Sequence, residues 1–206
     1  FFKENFNHCP KIILVHHQLA HISSAFYSSG FEKATCLSLD GFGDGKSGLI
    51  SEVSLKKGIK EIEYIEKKDS IGNFYTMVTE FLGYHTGDEY KVMGLAAYGK
   101  KTVDFSKVIS FKKNYWKCDD KFYSGRQSPY LNTYSEKFEK LFKKYKRNPN
   151  QKINQLHKNF AASAQGVVNF ALLKILNYSK SISKFKEKIC FAGGVALNCS
   201  AMRELL

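Results

Sequence analysis

The 206-residue chain contains few of the residues that would define it by composition alone. It has three prolines, three methionines and a single tryptophan. Its five cysteines (Cys9, Cys36, Cys118, Cys190 and Cys199) form no CxxC pair, and their odd, scattered spacing gives no disulfide framework and no zinc motif. They read as small buried hydrophobes and free thiols, which points to a reducing, cytoplasmic setting. No run approaches about 20 uncharged apolar residues, so no membrane span is expected. There is no internal repeat and no low-complexity tract. Acid is scarce: 19 Asp and Glu stand against 32 Lys and Arg, a net charge of +13. A basic balance suggests nucleic acid. However, the excess is mostly lysine, spread thinly and densest at 100–152, with no arginine-rich arm and no RNA-binding aromatic signature. A nucleic-acid partner is therefore not expected.

At 43% hydrophobic and 25% charged residues, the composition is that of a globular protein. The chain opens Phe1-Phe2-Lys3 without a methionine and closes at Leu206 inside a helical pattern, so both ends read as cut. The KIILV run at 11–15 predicts a buried strand. Helical spacing of Leu19, Ile22, Ala25 and Phe26 predicts a helix over 17–29, stopped by Gly30. A second strand at 34–39 ends at Asp40, and a glycine-rich turn at 40–45 leads into a returning strand at 47–53. A weaker alternation predicts another strand at 59–67. Ser70 can cap a helix over 71–82, closed by Gly83, and a short helix is expected at 89–97. The lysine-rich stretch 100–150, with Pro129 and Pro149 as breakers and a local helix at 135–145, reads as a variable insertion outside the core. A long helix at 155–181 carries Leu156, Phe160, Ala164, Val167, Val168, Ala171, Leu172 and Ile175 on one broad face. A strand at 189–192, a Gly193-Gly194 turn and a helix from Asn198 complete a mixed α/β layout.

Four segments could carry chemistry. In His16-His17-Gln18-Leu19-Ala20-His21, His17 and His21 lie four apart on one helix face, the spacing that lets two imidazoles share a metal ion. A bare HxxxH also occurs as a solvated pair. Asp40-Gly41-Phe42-Gly43-Asp44-Gly45 places a carboxylate at a strand end, with Gly41 and Gly43 able to admit a phosphate close to the backbone. It reads equally as a plain hairpin turn or a calcium-like loop. Gly193, Gly194 and Asn198 join a buried strand to a helix start, where a nucleotide can lie against the backbone. Within 87–99, Lys91 is a candidate anion contact, or a solvated lysine on an amphipathic helix.

Taken in order, these segments resemble the family of nodulation-factor and aminoglycoside O-carbamoyltransferases. The match runs through HQLAH at 17–21, SSAFY at 23–27, LDGFG at 39–43, SIGNFY at 70–75, EYKVMGLAAYG at 89–99, AASAQ at 161–165 and AGGVALNC at 192–199. It covers nearly the whole chain except about 100–150. The HxxxH and GGVA segments also resemble threonylcarbamoyl-adenosine tRNA-modification enzymes. The resemblance implies an actin-like ATPase fold, related to ribonuclease H and shared with sugar kinases, here incomplete at both ends. It implies that carbamoyl phosphate and ATP are joined into a carbamoyl-adenylate in a separate C-terminal, YrdC-like domain beyond Leu206. The carbamoyl group then passes to the hydroxyl of a sugar or other small molecule at a metal, most often iron. By the same resemblance His17, His21 and Asp40 are the metal and catalytic residues, and Gly193, Gly194 and Asn198 match the nucleotide-contacting turn. One departure stands out: the family form is His-His-x-x-His, and Gln18 occupies the place of its second histidine. The family's first phosphate hairpin would precede Phe1, and its last metal-binding aspartate would follow Leu206. The chain alone is therefore not expected to complete the reaction. Rival readings are a tRNA threonylcarbamoyl-transferase, a basic nucleic-acid-binding module on the same scaffold, and a sugar kinase, in which the paired histidines would have no role.

Overall fold

The computed structural model describes residues 2–124 and 133–205. A short helix α1 (Phe2–Phe6) and an extended stretch lead to α2 (His17–Tyr27), followed by the strands β1 (Lys33–Gly43), β2 (Lys46–Ser54) and β3 (Gly58–Glu66). Then come α3 (Ile71–Phe81), α4 (Glu89–Ala96), the hairpin strands β4 (Ile109–Phe111) and β5 (Trp116–Cys118), α5 (Glu136–Phe142) and the 28-residue α6 (Gln155–Ile182). Strand β6 (Ile189–Ala192), a 3₁₀ turn over Gly194–Leu197 and α7 (Cys199–Arg203) complete it.

Three long strands and the short β6 form one sheet in the order β3-β2-β1-β6. β1 to β3 are an antiparallel meander, whereas β6 lies parallel to β1, with Cys36 opposite Cys190. A parallel pair needs a crossover, and α3 to α6 supply it. β1 is covered on both faces. Ala34 and Cys36 pack with Ile22 and Phe26 of α2, while Leu37 and Leu39 face a larger core with α3 and α6. Burial on both faces fits the absence of any charged side chain between Ala34 and Leu39. The result is a mixed α/β, three-layer arrangement. Among the described residues no helix is long and apolar enough to cross a membrane.

Local signals account for most helix ends. Ser70 accepts the Asn73 amide at 2.9 Å to cap α3. Asn154 and His157 form a reciprocal capping box at the start of α6.

Three expectations need correction. The 11–15 run is not a strand: no described residue pairs with it, and Leu14 is 92% exposed. Hydropathy signals a segment suited to burial, but a strand also needs a neighbour to bond with. Leu156, placed on the buried face of α6, is exposed in its first turn. The 100–150 stretch is not peripheral to the core. Phe105, Trp116, Phe138, Phe142 and Tyr145 are buried in the larger core. The Phe160 ring of α6 lies 5.1 Å from Phe105, 5.3 Å from Phe142 and 5.2 Å from Tyr145. The polar, lysine-rich surface of this stretch masks widely spaced aromatic anchors. Pro129 lies outside the described residues.

Buried Glu52 of β2 ties the α6–β6 connection to the sheet. Its Oε1 accepts the Lys184 amide at 2.6 Å, and Lys60 lies 3.6 Å from its Oε2. The Lys184 amide is the main reason that its carboxyl sits below the usual range; burial opposes this and the Lys60 charge adds to it.

Two outcomes follow. Phe105→Ala should lower unfolding free energy by about 3–5 kcal/mol, read from the denaturant midpoint; an unchanged midpoint would mark 100–150 as surface decoration. Glu52→Gln should destabilise the protein at pH 7. A carboxyl depressed on folding stabilises above the ordinary glutamate range near about 4.3 and loses that contribution as pH falls through its folded value. The gap between wild type and Glu52→Gln should therefore close in acid, measured as melting temperature against pH.

Candidate metal centre and adjoining cleft

The site begins with one strand end and one helix start. β1 delivers Asp40 on the face covered by α2, two residues beyond Ser38 and four beyond Cys36. α2 enters on that face, held by buried Gln18, which accepts the Ser38 hydroxyl at 2.6 Å and donates to the Lys46 carbonyl at 3.2 Å. Gln18 is thus a strut between the helix and two strands. His16 is the N-cap, accepting the Gln18 amide at 3.2 Å, with its ring against Tyr64. The His17 amide is met by the Asp44 carboxylate at 2.7 Å, a charge placed where the helix start favours one.

With the first turn fixed in this way, His17 and His21 project together. His17 Nε2 lies 2.7 Å from Asp40 Oδ2, His21 Nε2 lies 3.1 Å from that same oxygen, and the two Nε2 atoms are 3.1 Å apart. Among the described residues this is the one grouping of three potential metal ligands whose atoms converge. Two facing Nε2 atoms cannot both carry a proton without repulsion, so a cation shared by both rings and the carboxylate suits the arrangement. Cis donors around a divalent ion at about 2.1 Å lie about 3 Å apart, which matches this triangle. Two imidazoles and one carboxylate on one side of an ion leave its other positions open, a donor set that suits non-haem iron. Each side chain is 22–37% exposed, so the opposite side is accessible.

The other carboxylate oxygen, Asp40 Oδ1, accepts the Gly41 amide at 2.8 Å and the Gly194 amide at 3.2 Å. Burial raises the Asp40 pKa, but the hydrogen bond from His17, followed by those from Gly41 and His21, outweighs it and holds the carboxyl below its ordinary range.

The glycines act differently from the expectation of a phosphate loop. A Cβ on Gly43 would fall 2.1 Å from the His17 ring, so this glycine makes room for the imidazole. Gly193 adopts φ +91°, and its α-carbon passes so close to Leu39 that a Cβ would lie 2.2 Å from the Leu39 carbonyl oxygen. That approach brings Gly194 onto Asp40. The amides of Gly41 and Gly194 are directed at the carboxylate.

Asp40, Gly41, Gly194 and Asn198 also line a cleft of about 460 Å³, together with Tyr90 and Met93 of α4. Beneath it lies a polar network, of which the residue pattern singled out Asn198 but not Tyr75 or Gln165. Gln165 accepts the Tyr75 hydroxyl at 2.6 Å and exchanges bonds with the Asn198 amide at 2.9 and 3.1 Å. Asn198 also caps α7 through the Ala201 amide. The available signal was Gln165 and Asn169, four apart among the inward-facing residues of α6. Lys91 stands apart. It is exposed, paired with Asp88 at 2.8 Å, and not among the residues lining the cleft.

A family model described as Carbamoyltransferase N-terminus matches residues 3–206. The chain belongs to this carbamoyltransferase family. It is 33% identical over 196 residues to Nodulation protein NolNO of Sinorhizobium fredii (strain NBRC 101917 / NGR234), covering 95% of this chain and 27% of that protein. It is 31% identical over 191 residues to Nodulation protein NolO of Bradyrhizobium diazoefficiens, covering 93% of this chain and 33% of that protein. It is also 30% identical over 202 residues to the uncharacterised protein sll1178 of Synechocystis, covering 32% of it. The chain thus spans between a quarter and a third of these relatives.

Gly43→Ala should break the His17–Asp40 contact at a cost of about 1–3 kcal/mol while leaving the sheet intact. Imidazole nitrogen NMR signals of His17 should shift; unchanged signals would show that the ring does not depend on the space at Gly43.

Proposed function

We propose that this chain forms the transfer centre of an O-carbamoyltransferase. In this reading a carbamoyl group passes from a carbamoyl-adenylate, made from carbamoyl phosphate and ATP, to a hydroxyl of a sugar or other small molecule. The observation that carries it is the convergence of His17, His21 and Asp40 on one point at the edge of a nucleotide-sized cleft. The sheet order, an antiparallel meander followed by a parallel strand beside β1, supports an actin-like fold related to ribonuclease H. Because the relatives are three to four times as long, activation of carbamoyl phosphate belongs to the remainder of the protein in this reading.

His17, His21 and Asp40 would hold a divalent ion, iron by preference. Such an ion, when bound, polarises a carbonyl or lowers the pKa of a hydroxyl. The protein's own residues contribute position. Gly41 and Gly194 fix one carboxylate oxygen so that the other faces the two rings. Tyr75 and Gln165 fix Asn198 on the cleft wall, where the nucleotide lies against the 194–198 backbone, facing Tyr90 and Met93. The acceptor oxygen attacks the carbamoyl carbon, the bond to the AMP phosphate breaks, the hydroxyl proton leaves to water, and AMP departs as the anion. Holding the two reactants together is the main catalytic effect in this account.

Elemental analysis of the purified chain should find about one equivalent of bound metal, lost in both His17→Ala and His21→Ala; equal content in all three would end the metal assignment. AMP should bind about tenfold more weakly to Tyr90→Ala by calorimetry if the cleft takes the nucleotide. Undiminished binding would place it elsewhere.

A further inference from the structure

The cleft beside Asp40 holds a second carboxylate, that of Glu89, the first residue of α4. Its Oε1 accepts the Thr76 hydroxyl of α3 at 2.7 Å. It has no ion-pair partner among the described residues, whereas the adjacent Asp88 is paired with Lys91. Asp40 and Glu89 are the charged side chains of the lining, and no lysine, arginine or histidine is among the described residues that form it. Much of the remaining wall is apolar, with Ile71, Val168, Val195 and Leu197. A carboxylate set in such a wall calls for hydrogen-bond donors. The start of α4 favours its charge, and Thr76 supplies one donor. A carboxylate has about four acceptor positions, so most of them remain for a ligand. With no cationic side chain beside it, Glu89 is suited to hydroxyl groups and not to an anion.

The two carboxylates are set apart by one turn of α3. Gly72 abuts the Asp40 backbone, where a Cβ would lie 2.8 Å from the Asp40 carbonyl oxygen, and Thr76, four residues on, meets Glu89. Positions four apart share a helix face and are separated by about 6 Å along the axis. Resting on the nucleotide reading of this cleft, we infer that Glu89 recognises the ribose. Its carboxylate accepts hydrogen bonds from the 2′ and 3′ hydroxyls, Thr76 fixes its orientation, and the 5′ end of the sugar points along α3 toward Asp40. A vicinal diol matches the two oxygens of a carboxylate, and bonds to an ionised acceptor are the stronger kind. A sugar without these hydroxyls leaves the carboxylate without donors, which is how a polar site rejects such an analogue.

Calorimetry on the purified chain tests this with adenosine and 2′,3′-dideoxyadenosine, neither of which carries a phosphate. Adenosine should bind about tenfold or more tightly than the dideoxynucleoside. Glu89→Ala should abolish that preference and leave the dideoxynucleoside affinity as in the wild type, which shows that the cleft is intact. Methyl glucoside, a diol without a base, should not displace adenosine. Equal affinities in the wild type, a preference that survives Glu89→Ala, or an equal loss of both nucleosides in Glu89→Ala would each overturn the inference and leave the nucleotide in the cleft. Displacement by methyl glucoside that Glu89→Ala removes would assign Glu89 to the acceptor sugar and overturn it too. If neither nucleoside binds, the inference fails, and AMP binding then decides whether the nucleotide reading survives it.

Discussion

The carboxylate of Asp40 is the constraint around which the rest of the structure is arranged. One oxygen is held by two backbone amides from opposite ends of the chain, Gly41 and Gly194, and the other faces two imidazoles. For this to happen, β6 must lie parallel to β1, Gly193 must pass tightly over Leu39, and α2 must start at a fixed angle across the sheet. The two core clusters set the first and the last of these conditions from either side. The helix crossover from α3 to α6 brings β6 back beside β1, and Ile22 and Phe26 hold α2 against it. A carboxylate kept ionised in this way has both of its oxygens oriented by the fold itself.

Much of this was legible in the sequence. The HxxxH spacing, the aspartate at a strand end and the double glycine before Asn198 each suggested its local structure, because each rests on short-range rules of helix periodicity and turn chemistry. Their assembly into one place was implied only by the ordered resemblance. Short-range rules do not say that residue 194 meets residue 40, and that contact depends on a parallel strand pairing across about 150 positions. The roles of individual glycines were also hidden. Gly43 looks like part of a phosphate loop, but its lack of a side chain serves the neighbouring His17 ring.

Two misreadings have a common physical cause. The 11–15 run has the hydropathy of a strand without a partner to pair with, and the 100–150 stretch has the surface of an insertion with the interior of a core. In both, average composition and burial diverge. A few aromatic residues, here Phe105, Trp116, Phe138 and Phe142, outweigh many exposed lysines in deciding where a segment packs. The basic surface is consistent with that outcome, since long lysine side chains keep their charges in water while the aromatic rings between them point inward.

The most direct test of the account is anomalous diffraction from crystals of the protein grown with ferrous iron without oxygen. The account predicts a single strong anomalous peak at about 2.1 Å from His17 Nε2, His21 Nε2 and Asp40 Oδ2. A peak bound by other residues, or no peak at this triangle in well-ordered iron-containing crystals, would contradict it.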